Sequence, residues 1–207
     1  MIENLIGAGE VQISVIVPAF NEEKLLGATL SAIRQAMVAW QDRGWQSELV
    51  VCDNNSKDRT AQVAQEGGAR VVFEPLNQIS RARNAGAGSA KGRWLVFVDA
   101  DSHPSRGLFA DVATEIQRGD CLAGGCTIRL DGHYPIASLL TEGWNLLSRW
   151  RKWAAGSFIF CEASAFHAVG GFSAENMRGW DGVFAVGQNP FNQGISAHTL
   201  HQRRFVF

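Results

Sequence analysis

The apolar run Trp94-Leu95-Val96-Phe97-Val98 ends in Asp99-Ala100-Asp101, two carboxylates one residue apart. Side chains alternate along an extended chain, so both acids can address the same side where the strand stops. Such a pair suits a hard divalent cation, Mn²⁺ or Mg²⁺, with Asp101 on the metal and Asp99 on a sugar hydroxyl or a second coordination position. A cation held there would neutralise a diphosphate. The blander reading is a strand-end pair that caps the next helix. More acids follow other apolar runs: Glu22 after residues 11–19 and Asp53 after residues 48–52. Glu22 could equally complement a helix dipole, and Asp53 could close an Asx-turn with Asn54, Asn55 and Ser56 beside it. Arg81 and Arg83 stand where a helix begins, and cations oppose the dipole there. Their expected partner is an anion, either a phosphate or Asp53 and Asp99; a solvated surface face is the plainer alternative for Arg83. His103 follows the acidic pair closely enough to approach a metal, although a loop histidine is the simpler account.

These residues need a scaffold that brings strand ends together. Residues 11–19 read as a buried strand, and residues 22–40 carry apolar positions at helical spacing. Residues 48–52, 69–73 and 93–98 read as further strands, with helices expected at 60–65 and 79–90 between them. Alternation of this kind makes a mostly parallel sheet covered by helices, an α/β fold whose ligand lies beyond the carboxyl ends of the strands. Beyond Asp101 the expected order is helix 108–117, strand 121–130, a tryptophan-rich helix 136–153, strand 157–161 and helix 163–169. From Ser173 onward no period of either kind is clear. The expected organisation is one domain over 1–175 and an irregular or truncated tail over 176–207. Gly86, Gly88 and Gly92 precede a strand instead of following one, which rules out the dinucleotide fingerprint.

The 207 residues carry 19 Lys plus Arg against 20 Asp plus Glu, a net charge of −1. That balance excludes a general electrostatic grip on nucleic acid. The four cysteines form no C-x-x-C pair, and three of them lie within or beside apolar runs, as reduced cysteines do. No basic leader is visible and no apolar stretch approaches the ~20 residues of a membrane span. A cytoplasmic protein is expected. Trp144, Trp150 and Trp153 with Arg149, Arg151 and Lys152 leave open a peripheral contact at the inner face of the membrane; a helix packed under an acceptor loop is the plainer account.

Four segments occur in order: Val15-Ile16-Val17-Pro18-Ala19-Phe20-Asn21-Glu22-Glu23, Asp53-Asn54-Asn55-Ser56-Lys57-Asp58-Arg59-Thr60, Arg81-Ala82-Arg83-Asn84-Ala85-Gly86 and Asp99-Ala100-Asp101. Over about residues 11–172 the chain resembles a family 2 glycosyltransferase of the GT-A fold. The resemblance implies a Rossmann-like three-layer sandwich with a mostly parallel mixed central sheet. It also implies a nucleotide-diphosphate-sugar donor, a uridine-diphosphate sugar first among these, inversion at the anomeric carbon, a divalent metal, and a saccharide or lipid-linked acceptor. Carried over by residue, Pro18, Ala19 and Glu22 would line the nucleoside pocket, Asp53 would contact the base edge, and Arg81 and Arg83 would lie against the nucleotide. Gly170-Gly171-Phe172 resembles the segment before the family's acceptor-side base. Asp181 stands at about the right offset for that base, but Trp180 precedes it and the usual amphipathic helix is absent.

Two rival readings follow. A non-catalytic or truncated nucleotide-sugar-binding protein would explain the altered base motif. A phosphatase of the haloacid dehalogenase kind would use Asp99 as nucleophile and Asp101 as acid. The phosphatase also needs a downstream lysine and a second acidic pair, and the sequence offers only Lys152 and no such pair at a later strand end.

Overall fold

The computed structural model describes residues 11–126, 157–173 and the backbone of 204–206. The elements run β1 (Val11–Ala19), α1 (Leu26–Gln41), β2 (Gln46–Asp53), α2 (Thr60–Glu66), β3 (Arg70–Phe73), α3 (Ile79–Ser89), β4 (Trp94–Val98), α4 (Arg106–Arg118), β5 (Cys121–Gly125), β6 (Phe158–Glu162), α5 (Ala163–Ala168) and β7 (Arg204–Val206). The expected helix 136–153 lies outside the described residues, as do 127–130 of the strand expected at 121–130. The expected irregular tail also lies outside them, except that Arg204–Val206 pairs parallel to β5.

The sheet order is β3-β2-β1-β4-β6-β5-β7. β1 pairs parallel with β2 and β4, β2 parallel with β3, and β6 runs antiparallel to both β4 and β5. The chain leaves β1 in one direction through β2 and β3, then returns to place β4 on the other side. Crossover loops diverge at that reversal and open a crevice at the carboxyl ends of β1 and β4. The register shapes it: β1 pairs with β4 only as far as Ile16 opposite Phe97, but with β2 as far as Ala19 opposite Asp53. Pro18 falls past the last β1–β4 pair, where a residue without an N–H interrupts no bond of that ladder.

β4 is buried throughout and β1 from Gln12 onward, which is why residues 15–19 and 94–98 read as apolar runs. Their alternate side chains feed two cores. Val15 and Val17 join Leu30, Ile33, Trp40 and Phe109 beneath α1 and α4, while Ile16, Leu95 and Phe97 join Ala87, Phe166 and Phe172 beneath α3 and α5. Helix, sheet and helix form the three expected layers. In the first core Trp40 stacks on Phe109 with ring centroids 4.2 Å apart, and its Nε1 donates to the Phe109 carbonyl. In the second, the added Cβ of an alanine at Gly86 would lie 2.5 Å from Ile16 Cγ2, so glycine lets α3 sit directly on the sheet.

One boundary differs from expectation. Residues 22–25 form a turn and α1 starts only at Leu26, with Leu25 half exposed. The backbone N–H groups of Glu22 and Glu23 are bound to the loop after β2 instead of entering a helix.

Candidate functional site

The rim of the crevice is built from three loops that hold one another. Asn21 takes a left-handed conformation, φ 56°, which asparagine tolerates better than most residues. Its N–H donates to Ser56 Oγ and its Oδ1 accepts from the Lys57 N–H. Glu22 N–H donates to Thr60 Oγ1, Glu23 N–H to Asp58 Oδ2, and Arg59 N–H to Glu23 Oε2. The loop after β2 also grips the link from β3 to α3. Asn54, almost fully buried, donates from Nδ2 to the carbonyls of Glu74 and Leu76 and accepts from the Gln78 N–H. Every polar atom of that amide therefore fixes the approach to α3. Because these bonds involve backbone groups from separate crossovers, the rim is preformed.

Within the rim, Asp101 lies close enough to repel both Glu22 and Asp99. Partial burial raises the Glu22 pKa above its ordinary value, and repulsion from Asp101 and then Asp58 raises it further. Burial likewise holds Asp99 above the usual range; Arg83 pulls it down and Asp101 pushes it up. Arg83 Nη2 donates to Asp99 Oδ1 at 2.7 Å, and the arginine is only 5% exposed. The anion expected for Arg83 is thus Asp99. Asp101 is exposed, and neither its carboxylate nor that of Glu22 accepts a hydrogen bond among the described residues. Carboxylates that repel across a crevice and lack donors attract a cation.

The other expected residues fall into place as follows. Pro18 and Ala19 close β1 at the lip of the crevice. Asp53 ends β2 opposite Ala19, and its Oδ1 accepts from the N–H of Ser56, three residues on, one residue beyond the reach of the expected Asx-turn. Arg81 points elsewhere: its Nε pairs with Glu74 Oε1 at 3.1 Å, outside the Glu22–Asp99–Asp101 group. His103 is exposed in the loop before α4. Asp181 and the tryptophan-rich segment lie outside the described residues.

Three residues of the site's framework escaped the sequence reading. Thr29, counted among the apolar stripe of α1, donates from Oγ1 to the Ala100 carbonyl between the two acids. Asn54 stands in the sequence only as a loop residue beside Asp53, and Asn84 only as part of the segment Arg81 to Gly86. A hydroxyl at a core position of a helix is a signal in itself, since it must find an acceptor somewhere.

Among the described residues no group of three or more His, Cys, Asp or Glu side chains gathers tightly enough to enclose a metal. The residues present nevertheless suit a cation that is not fully caged. Mg²⁺-like ions commonly take one or two carboxylates and complete their shell with substrate phosphates and water. Asp101 is the open carboxylate for that role, with the second oxygen of Asp99 beside it.

A mixed sheet reversing at β1 and β4, with acids on the crevice and arginine behind them, defines the GT-A class of glycosyltransferases. The chain belongs to glycosyl transferase family 2, whose family model matches residues 14–174. An uncharacterized glycosyltransferase of Mycobacterium tuberculosis is 32% identical over 143 residues, which is 67% of this chain and 61% of that protein. A mannosyltransferase of Pyrobaculum calidifontis, solved with GDP-Man and Mn²⁺, shares the fold at a TM-score of 0.64 and 20% identity, over 84% of this chain and 52% of its own. Glucosyl-3-phosphoglycerate synthase of Mycobacterium tuberculosis, solved with Mn²⁺, UDP and glucosyl-3-phosphoglycerate, does so at 0.54 and 23%, over 78% and 60%. The chain spans about three-fifths of the mycobacterial relative's length. Family membership speaks against the phosphatase reading, and the Asp99 carboxylate is bound to Arg83 instead of standing free as a nucleophile.

Proposed function

We propose that the chain transfers a sugar from a nucleotide-diphosphate sugar to an acceptor hydroxyl with inversion, using the β1–β4 crevice as donor site. The observation that carries this reading is that Asp101 stands close enough to repel both Glu22 and Asp99 where the neighbouring parallel strands β1 and β4 end. Pro18, Ala19, Glu22 and Asp53 take the nucleoside, the carboxylates accepting from ring N–H or ribose O–H groups. A wrong ligand leaves such acceptors without a donor, which is the source of selectivity. Arg83 steadies Asp99, and Arg81, bound to Glu74, braces the link into α3 beside the donor site.

A divalent ion, Mn²⁺ or Mg²⁺, held on Asp101 and Asp99 would supply positive charge to the departing diphosphate. The acceptor oxygen forms its bond to the anomeric carbon as the bond from that carbon to the diphosphate oxygen breaks. The diphosphate leaves with the electron pair, and the acceptor proton passes to Asp181, the assigned base. The donor is a uridine-diphosphate sugar in this reading, since UDP occupies one of the similar folds and GDP-Man another. The acceptor is a saccharide or a lipid-linked sugar. No described helix is long and apolar enough to cross a membrane; we place the reaction in the cytoplasm, with the tryptophan-rich segment as the contact to a membrane-borne acceptor.

Asp101→Ala tests the assignment, because an exposed side chain can be removed without disturbing the fold. Mn²⁺-dependent UDP binding, measured by titration, should vanish while the melting temperature holds. Unchanged metal-dependent binding would remove the assignment. Donor hydrolysis measured beside binding separates an enzyme from a non-catalytic binder: affinity without turnover favours the latter.

A further inference from the structure

Asn84 lies on α3 one residue after Arg83, and its amide reaches a part of the chain 88 residues away. Nδ2 donates to the Phe172 carbonyl at 2.9 Å, and Oδ1 accepts from the Phe172 N–H at 2.9 Å. A side-chain amide that satisfies both polar groups of one residue acts like a ladder partner and fixes its position in two directions. The turn is shaped to receive it. Gly170 and Gly171 take φ of 81° and 75°, and a Cβ at Gly171 would lie 2.6 Å from Asn84 Oδ1. Only glycine admits the amide there.

So held, the Phe172 ring packs edge-on against Phe97 of β4, with centroids 5.0 Å apart, and stands 5.3 Å from Arg83 Cζ. Arg83 in turn binds Asp99. We infer that Asn84 is a positioning residue for the donor site: by clamping Phe172 it seals the Arg83 guanidinium against Asp99 and registers the Gly170–Phe172 turn on the donor-side carboxylate. A guanidinium flanked by an aromatic ring is shielded from water, and its pairing with a carboxylate is stronger for that. The inference rests on the reading of the Asp99–Asp101 edge as donor site.

The test reads two quantities in Asn84→Ala. The first needs no nucleotide: the Arg83 guanidinium N–H signal in NMR, expected to exchange slowly in the wild-type protein and to broaden or vanish in the variant while β1, β2 and β4 amide signals persist. The second is Mn²⁺-dependent UDP affinity, expected to fall about tenfold. Phe172→Leu keeps the clamp and the apolar contact but removes the ring from Arg83, and should reproduce both effects if Asn84→Ala fails to fold. A purely structural role would lower the melting temperature and leave the affinity of the folded protein unchanged. An unaltered guanidinium signal, or unchanged Mn²⁺-dependent UDP affinity in folded Asn84→Ala protein, overturns the inference. If wild-type protein binds no UDP with Mn²⁺, the donor reading falls, and the guanidinium signal alone decides whether Asn84 holds Arg83.

Discussion

The Thr29 hydroxyl, fully buried on α1, donates at 2.7 Å to the carbonyl of Ala100, so the first helix of the fold holds the peptide that joins the two acids at the end of β4. Valine has nearly the same shape and no donor. Thr29→Val should therefore cost about 1–3 kcal/mol through the orphaned carbonyl. It should also weaken Mn²⁺-dependent UDP binding, because the Asp99–Asp101 spacing is no longer fixed. Thr29→Ser should restore both. Chemical denaturation and titration read the two effects separately, and equal behaviour of Val and Ser variants would count against the hydroxyl.

Asn54→Ala should loosen the donor rim at one place. Gln78 loses the acceptor of its N–H, whereas the Leu76 N–H keeps Glu74 Oε1. Amide hydrogen exchange should rise strongly at Gln78 and less at Leu76, with a stability cost of about 1–3 kcal/mol. Uniform acceleration across 74–79 would mean that the link depends on something other than this amide.

Glu48 sets part of the acid limit of the fold. Burial alone would raise its pKa, but hydrogen bonds from Ser14, Arg70 and the Lys91 backbone outweigh that and hold it below the ordinary 4.5. A carboxyl lowered by folding contributes stability above its unfolded value, and the contribution is lost as pH falls through the folded value. Glu48→Gln should cost about 1 kcal/mol at neutral pH and flatten the loss of stability below about pH 4.5. Urea midpoints across that range check the sign; an identical acid profile would show that the Ser14–Glu48–Arg70 cluster does not govern it.

Two glycines of α3 should respond in opposite directions. Gly86→Ala forces a methyl group against Ile16 and should destabilise by about 1–3 kcal/mol. Gly88 meets nothing within 4 Å, so Gly88→Ala should stabilise by about 0.5–1 kcal/mol through helix propensity. Thermal melts of the pair suffice. The same sign for both would contradict the packing of α3 on β1.

The strands, the crossover helices and the acids at strand ends were legible because each is a local statement. Continuous apolar runs mark strands buried on both faces, and residues 15–19 of β1 and 94–98 of β4 are of that kind. The start of α1 was misplaced because helical spacing cannot reveal that Glu22 and Glu23 give their N–H groups to Thr60 and Asp58. The partner of Arg81 was not legible either: Arg81 and Arg83 sit two apart on one helix, and their separate directions send one to Glu74 and the other to Asp99. Glycine spacing excluded a dinucleotide fingerprint, but only packing showed that Gly86 serves the contact with Ile16.

The order of residue types along the chain determined the α/β class, the family and the candidate acids, since hydrophobic period and motif order are properties of consecutive residues. Tertiary structure alone decided how those acids act on one another. Contacts such as Thr29 to Ala100, Asn54 to Gln78 and Asn84 to Phe172 join residues 24 to 88 positions apart. Their energies depend on distances that exist only after the sheet has formed, and a hydroxyl or amide carries no mark in the sequence of the carbonyl it will meet.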